Sequence, residues 1–556
     1  MKTRLFLLVT NFLIQVNFLI AQQLAIPSAI QYKWHEQERI MFVCLDPCTW
    51  QGREYDNHST PLERINPRDL DTDQWCETAQ LWGAKEILFV AKHTGGFCWW
   101  KTETTDYGIK DTPYKDGKGD VLRELSESCQ KHGLNLGIYV YPGDDTWGAG
   151  IGSGGKTTDP SKQEAYNEVF RTQLTEVLSK YGEAIEVWFD GSCVIDVSDI
   201  LEKYANNSVI FQGPHATLRW PGTESGKLFY PVWNTIKNQD MASGVSTQVH
   251  GNPNGDVWAP LETNTTLYDH YWFWSPKKAK KRKSLDHIME CYYKSVGYGS
   301  VFLLNSTPDT TGLIPKEDIA LYKAFGEEID RRFKVPIAEI NESKGQLVEL
   351  DLPQQQRINH VITMEDYREG QRVREYTIEG FSGGKWVELF SGQSIGRKKI
   401  DYFNEFELSK VRLKVTKSVG EPLIRKFAAY YVEDFVAPPK KGISPWSAWQ
   451  ELSAWELKQN GDLSIELDLT GKIMLPGQYT VMIQPENSEA KIKVSEAKLL
   501  YDGRPTLDKF LTVRGEKINI NRTAQVTDES KIILVVELTS KSACSGNIQF
   551  RPAMIY

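Results

Sequence analysis

A (β/α) TIM-like barrel at the N-terminal end, followed by all-β sandwich domains, is the multidomain fold class that this 556-residue sequence predicts. Short apolar runs alternate with helical periodicity over roughly 300 residues, the pattern of a parallel sheet wrapped by helices. No G-x-G-x-x-G follows any of those runs, which favours a barrel over a dinucleotide fold. From about Val335 the helical period gives way to short alternating runs broken by Gly, Pro and charge, the texture of an antiparallel sandwich. The length exceeds what one core organises. The expected divisions are 1–21 as a leader, 22–334 as the barrel, 335–437 as a β-sandwich and 438–556 as a further β-rich region.

Each element has its own signal. Lys2 and Arg4 precede an apolar stretch from Leu5 to Ile20 that ends at Ala21, which reads as a cleaved targeting segment and predicts a periplasmic or extracellular protein. No later run of about 20 apolar residues follows, so no integral membrane segment is expected. Residues 39–45 form a candidate first strand. Asp69 to Asp71 open a helix that carries Trp75, Ala79, Leu81 and Trp82 and stops at Gly83, and 87–91 is a buried strand. The unit repeats: helix 121–132 stopped by Gly133, strand 134–141, helix 159–181, strand 185–189, helix 196–205, strand 209–212, helix 285–296 and strand 299–304. Between Pro214 and Trp274 the periodicity is weak, which leaves either an irregular part of the barrel or long loops over its mouth. Runs at 346–350, 361–364, 374–379, 385–389, 412–416 and 425–431 supply the first sandwich, Pro438 to Gly442 a linker, and runs at 462–469, 477–484, 490–500 and 531–538 the last region.

Composition narrows the function classes. A net charge of -8 argues against a nucleic-acid partner, and the basic run Lys277 to Lys283 reads as a solvated loop. The chain has 17 Trp and 24 Tyr, rings on which sugar faces stack, although most such rings fill β-rich cores. The eight cysteines, at 44, 48, 76, 98, 129, 193, 291 and 544, show no zinc-ligand spacing and are expected as buried free thiols. No cofactor and no metal is expected.

The chemistry concentrates at strand ends. Ile185 to Gly191 is an apolar run that ends in Asp190, which places this carboxylate at the C-terminal end of a parallel strand, where barrels keep their reactive groups. Trp188 and Phe189 fall on opposite faces of that strand. Glycoside hydrolysis needs a second carboxyl across one bond. Glu224, beside Trp220 in the loop from Arg219 to Gly226, is one candidate, and Glu262 is its rival. His93 follows the second strand at the same barrel end, where a neutral imidazole can hydrogen-bond a sugar hydroxyl. Trp50, Glu54 and Tyr55 occupy the loop after the first strand, and Trp99, Trp100 and Trp274 are candidate stacking rings or core. A carbohydrate-binding protein with little or no turnover is the alternative function.

Several stretches taken together resemble glycoside hydrolase family 29, the α-L-fucosidases, in the branch with a β-sandwich behind the barrel. They are Trp50 to Tyr55, Asn66 to Trp75, Gly83 to His93, Gly96 to Trp100, Asp116 to Asp120, Glu186 to Gly191, Arg219 to Gly226, and Leu303 to Pro315, in the family's order. The resemblance implies an exo-acting retaining enzyme that releases terminal α-L-fucose or a related α-L-sugar from glycans, with Asp190 as nucleophile and Glu224 as acid/base. It also implies a substrate-binding set drawn from His93, Trp50, Glu54, Trp100, Tyr141, Trp188, Arg219, Glu262 and Trp274. Five positions depart from the family: Cys44 stands where a His is usual, Thr94 and Gly95 replace the second His and the acid of Lys-His-His-Asp-Gly-Phe, and Tyr141 and Gly143 flank Pro142 in place of Ser and Trp in Ser-Pro-Trp. Glycosidase chemistry is therefore expected with an altered grip on the sugar, such as a narrow linkage preference or L-galactose.

Overall fold

Seven parallel strands curl into the barrel wall of the computed structural model, which describes residues 24–241, 250–435, 449–473, 477–487, 490–506, 511–522 and 531–555. The leader call at 1–21 and the linker at 438–442 lie outside these residues. The strands are β1 (Arg39–Val43), β2 (Glu86–Lys92), β3 (Asn135–Val140), β4 (Ala184–Trp188), β5 (Val209–Phe211), β6 (Glu262–Thr265) and β7 (Val301–Ser306), in the order β5-β4-β3-β2-β1-β7-β6. Between β5 and β6 the wall is closed by an irregular segment. The Thr217 N–H donates to Ile210 O, the Arg219 N–H to Pro260 O and the Glu262 N–H to Arg219 O. The weakly periodic stretch thus contains both a barrel strand and a long excursion, in which Thr235–Ile236 pairs with Val257–Trp258.

Alternation sorts the strand side chains into two layers. Met41, Val43, Ile87, Phe89, Ile138, Val187 and Phe189 meet the helices. Ile40, Phe42, Leu88, Val90, Tyr139, Trp188, Val209, Phe211 and Leu303 fill the interior. The helices begin and end as their sequences dictate. Asp71 caps α1 (Thr72–Leu81) by accepting from the Asp73 and Gln74 N–H groups, and Asp120 caps α2 (Val121–His132), which Gly133 ends at φ +67°. Three further helices, α3 (Gln163–Lys180), α4 (Leu285–Lys294) and α5 (Lys316–Phe333), complete the outer layer named here.

The following region is a six-stranded antiparallel sheet. Runs that the sequence presents as separate strands are parts of two long ones, Leu347–Glu365 and Lys399–Ser418, broken in register between Asp351 and Gln356. Irregularity of this kind lets a long strand serve two parts of one core. The sheet is anchored to the barrel through Glu38, which pairs with Arg397 at 3.0 Å and Lys398 at 2.5 Å, and through the Tyr293 hydroxyl against His360 at 2.9 Å. In the last region two antiparallel sheets enclose a second core, to which Ile532–Ser540 contributes Ile532, Leu534, Val536 and Leu538 on one face. Phe229, from the loop after Glu224, packs against that core. All eight thiols are free, and all but Cys544 are buried.

Candidate active site

Asp190 leaves the end of β4 into a turn made by Gly191 at φ +77°. Its Oδ2 accepts from the Tyr139 hydroxyl at 3.0 Å, a donor on the penultimate residue of the neighbouring β3. The Gly191 N–H donates to Gln212 Oε1 at 2.5 Å. Gln212 sits just past β5 at φ +61°, a left-handed conformation that costs energy in a non-glycine residue, and here it turns the amide onto the Asp190 turn. Glu224 comes from the segment that closes the wall between β5 and β6. Its Oε2 accepts from Trp272 Nε1 at 3.1 Å, and the residue reaches solvent at the mouth while its carboxyl lies against the indole.

Both carboxyls face one cavity of about 240 Å³. Phe42, Val90, Trp188, Phe211, Trp220, Trp272 and Phe273 make it largely aromatic, and Cys44, Glu54, Tyr55, His93, Tyr139, Gln212, Asn264 and His270 add polar groups. Glu54 is held by an ion pair with Lys278 and accepts the Trp272 backbone N–H at 2.9 Å. Trp272 therefore ties Glu54 to Glu224, through its backbone on one side and its indole on the other. His93 lies among Tyr55, stacked at 6.1 Å, and Tyr139, Tyr141 and Phe273. Burial pulls its imidazole down to about 4 against the opposing charge of Asp56, so the ring is neutral near pH 7.

Electrostatics distinguish the two acids. Burial raises the Asp190 carboxyl above its usual range, while the Tyr139 hydroxyl and the Gly191 N–H oppose the rise by bonding the anion. Glu224 is raised by desolvation and by the Asp190 charge, against the Trp272 indole N–H and His270. Two carboxyls that repel across one cavity favour a singly protonated pair. The donors on Asp190 make it the better anion, and the crowding of Glu224 makes it the better acid.

Of the residues expected at the site, Asp190, Glu224, His93, Glu54 and Trp188 line the cavity. Tyr141 stands behind it, its hydroxyl accepting from the Gly152 N–H at 2.8 Å and its ring 6.0 Å from His93. The rest belong elsewhere. Trp50 stacks on Trp99, and Trp100 is fully buried among the helices with its N–H on Glu176 at 3.0 Å. Trp274 packs on the outer core, because Phe273 takes the inward position beside it. Arg219 is buried in the wall closure, where its guanidinium donates to the Ala259 and Trp233 carbonyls. Glu262 is not a second acid at the mouth: it lies fully buried at the N-terminal start of β6, on the barrel floor.

The basic run is solvated only in part: Lys277, Lys280 and Lys281 are exposed, and the other three are tied down. Lys278 is buried on Glu54, Lys283 donates to Thr265 and Thr266, and Arg282 pairs with Asp318 at 2.5 Å. Sequence reasoning passed over Trp272, Phe273, Tyr139, Gln212, Asn264 and His270 as cavity residues. The only available signal was the aromatic cluster Tyr271 to Trp274, from which Trp274 was the wrong choice. The missing acid at Gly95 has a replacement in space: a Cβ at 95 would collide with the Asp56 carboxylate, which accepts from the Tyr107 hydroxyl at 2.6 Å and Gln51 Nε2 at 2.6 Å.

Asp46, Cys48 and His93 bring an oxygen, a sulfur and a ring nitrogen within 4.8 Å of one another, the one set among the described residues with the donor types to hold a metal ion. Cys48 Sγ–H donates to Asp46 Oδ2 at 2.9 Å, and His93 faces the cavity.

Comparison with known proteins agrees with this geometry. The family model described as Alpha-L-fucosidase matches residues 29–331, more than half of the chain. Alpha-L-fucosidase 1 of Arabidopsis thaliana is 29% identical over 465 residues, covering 74% of this chain and 88% of the relative. A crystal structure from Bacteroides thetaiotaomicron, provisionally described as an α-L-fucosidase, has a TM-score of 0.69 at 34% identity and covers 74% of this chain and 100% of its own. A glycoside hydrolase 29 family member from an unknown rumen bacterium has a TM-score of 0.68 at 25% identity and covers 95% of this chain and 99% of its own, reaching into the last β region. A family match over the whole barrel, carried by a parallel-stranded cup with β domains behind it, makes this chain a member of glycoside hydrolase family 29, the α-L-fucosidases.

Proposed function

We propose that this glycosidase is exported, exo-acting and retaining, and that it releases terminal α-L-fucose or a closely related α-L-sugar from glycans. The observation that carries the reading is that Asp190 and Glu224, one held by donors as an anion and the other pushed toward its acid form, face a single aromatic-walled cavity. In the first step an Asp190 oxygen bonds the anomeric carbon as the glycosidic bond breaks, and the Glu224 proton goes to the leaving oxygen. In the second step Glu224, now a carboxylate, takes a proton from water. The water oxygen bonds the anomeric carbon, and the bond to Asp190 breaks. Direct attack needs the two carboxyl groups roughly 5 to 5.5 Å apart.

Trp188 and Phe211 offer apolar faces to the ring, and Glu54, His93 and Asn264 supply hydroxyl contacts. Cys44 reaches the cavity where the family's His is usual, and burial keeps its thiol neutral. A thiol donates more weakly than an imidazole N–H, so discrimination at that hydroxyl is relaxed, and a related sugar such as L-galactose or a particular linkage becomes the preferred substrate. Incubation with a slow 2-fluoro-α-L-fucosyl donor, followed by peptide mass analysis, tests the mechanism. Label is expected on Asp190, and stable label on another residue overturns the assignment. Binding of α-L-fucosides without turnover would favour the lectin-like alternative.

A further inference from the structure

Below the cavity the barrel closes over three glutamates. Glu86 opens β2, Glu186 lies in the middle of β4 and Glu262 opens β6, and all three are fully buried. Glu186 is the hub. Its Oε2 accepts from Trp34 Nε1 at 2.8 Å and its Oε1 from Trp188 Nε1 at 2.9 Å, and the Glu86 and Glu262 carboxyls face it. Glu86 is fixed in turn by Gln37 Nε2 at 2.7 Å, and Gln37 by Asn135 Nδ2 at 2.5 Å. Glu86 Oε1 and both Glu262 oxygens have no partner unless the acids carry protons and donate to Glu186. The site is built rather than incidental: a Cβ at Gly137, on the intervening β3, would collide with Glu86 Oε1.

We infer that Glu186 is a positioning residue for the glycosidase reaction: its carboxylate, capped by two neighbouring carboxylic acids, fixes the Trp188 indole as the floor of the sugar cavity. The inference rests on the reading of that cavity as the sugar site. Trp188 lies over Phe211 with ring centres 3.7 Å apart and planes 9° from parallel, and it contacts Phe42 at 5.2 Å and Tyr139 at 5.7 Å. Tyr139 is the residue whose hydroxyl holds Asp190. The edge of the indole is therefore tied below while its face and its neighbours define the space above. An indole N–H bonded to an ion is held more tightly than one bonded to a neutral acceptor. The titratable groups facing Glu186 are Glu86 and Glu262, with the Cys129 thiol behind Glu86. Burial raises all three acids, the two flanking ones furthest, while the indole N–H groups oppose the rise at Glu186, so Glu186 is the member of the cluster that most readily carries negative charge.

The test compares Glu186→Gln, Glu262→Gln and Trp188→Phe in the full chain, with KM and kcat on an aryl α-L-fucoside and 19F NMR of protein labelled with 5-fluorotryptophan. Glu186→Gln turns one acceptor into a donor, so KM rises about tenfold with kcat within about threefold, as for a group that acts in ground and transition states alike. The Trp34 and Trp188 resonances, assigned from Trp34→Phe and Trp188→Phe, both shift. Glu262→Gln keeps an N–H where the acid had its proton and leaves KM within about twofold. Trp188→Phe removes the tethered N–H, so adding Glu186→Gln to it costs nothing further. Wild-type KM in Glu186→Gln, an unmoved Trp188 resonance, or full additivity in the double variant overturns the inference. If Glu186→Gln does not fold, an unraised KM in Trp188→Phe alone does so. An Asp190→Asn protein that remains fully active would instead overturn the sugar-site reading.

Discussion

The mouth and the floor of this barrel carry the same functional group and use it in opposite ways. Strand β4 contributes to both, with Glu186 on the floor and Asp190 four residues later at the mouth. At the mouth, two carboxyls face open space, and each has one side-chain donor, Tyr139 on Asp190 and Trp272 on Glu224. On the floor, three carboxyls face one another, and each oxygen of the hub accepts from an indole N–H, Trp34 on one and Trp188 on the other. A carboxyl left a free lone pair and a route to solvent can attack or exchange a proton. One whose lone pairs are all spent can only hold its neighbours in place. Chemistry here follows from which hydrogen bonds are left unmade.

Charge removal is the most direct way to break this contrast. Asp190→Asn should reduce kcat on the order of 10⁴-fold, as expected when a nucleophile is lost, whereas Glu262→Gln, an amide in place of an acid whose pKa is raised well above its usual range, should leave turnover unaffected. Equal losses at the two positions, in proteins with wild-type circular dichroism, would erase the distinction. Glu224→Gln should slow hydrolysis of oligosaccharides about 10² to 10⁴-fold, with a smaller loss on aryl fucosides whose leaving groups need no proton. Wild-type activity should fall as pH rises through the raised Glu224 pKa, since the acid form protonates the leaving group. A pH–rate profile of Glu224→Gln should lack that alkaline limb.

The smallest effect concerns stability. Glu86 and Glu262 keep their protons in the folded protein, while the unfolded chain loses them above a pH of about 4.3. The folded state then binds more protons than the unfolded one, so stability falls as pH rises, by at most about 1.4 kcal/mol per pH unit for each retained proton. The Glu86→Gln/Glu262→Gln protein should escape this decline. Its melting temperature relative to wild type should therefore increase between pH 5 and pH 8, and a constant difference would show that the two acids are ionised in the folded state.

The sequence was most readable where local and global signals agree. Asp190 was evident because an apolar run ends in a carboxylate and glycine, and the capped helices beginning after Asp71 and Asp120 fall where their caps place them. Strand β6 was not recognised, because Glu-Thr-Asn-Thr is polar throughout and its burial comes from neighbours distant in sequence. Nothing local to Glu262 therefore marks it as the opening residue of a strand on the barrel floor and not a rival acid to Glu224. Trp100 and Trp274 illustrate a second limit. In an irregular segment nothing fixes which face an aromatic takes, and a one-residue shift puts Phe273 rather than Trp274 in the cavity. The long bent strands of the first sandwich were read as fragments, since their irregular centres interrupt the alternation.

The Asp56 side chain standing over Gly95 constrains how this pocket can change. Returning position 95 to the acid usual in the family, with Asp56 in place, would force two like charges and two sets of atoms into one volume. The exchange has to begin at 56, through an intermediate that lacks a carboxylate at either position. Mutational paths between this pocket and the ordinary one are therefore ordered, and a screen of single replacements would miss the transition that paired replacements reach.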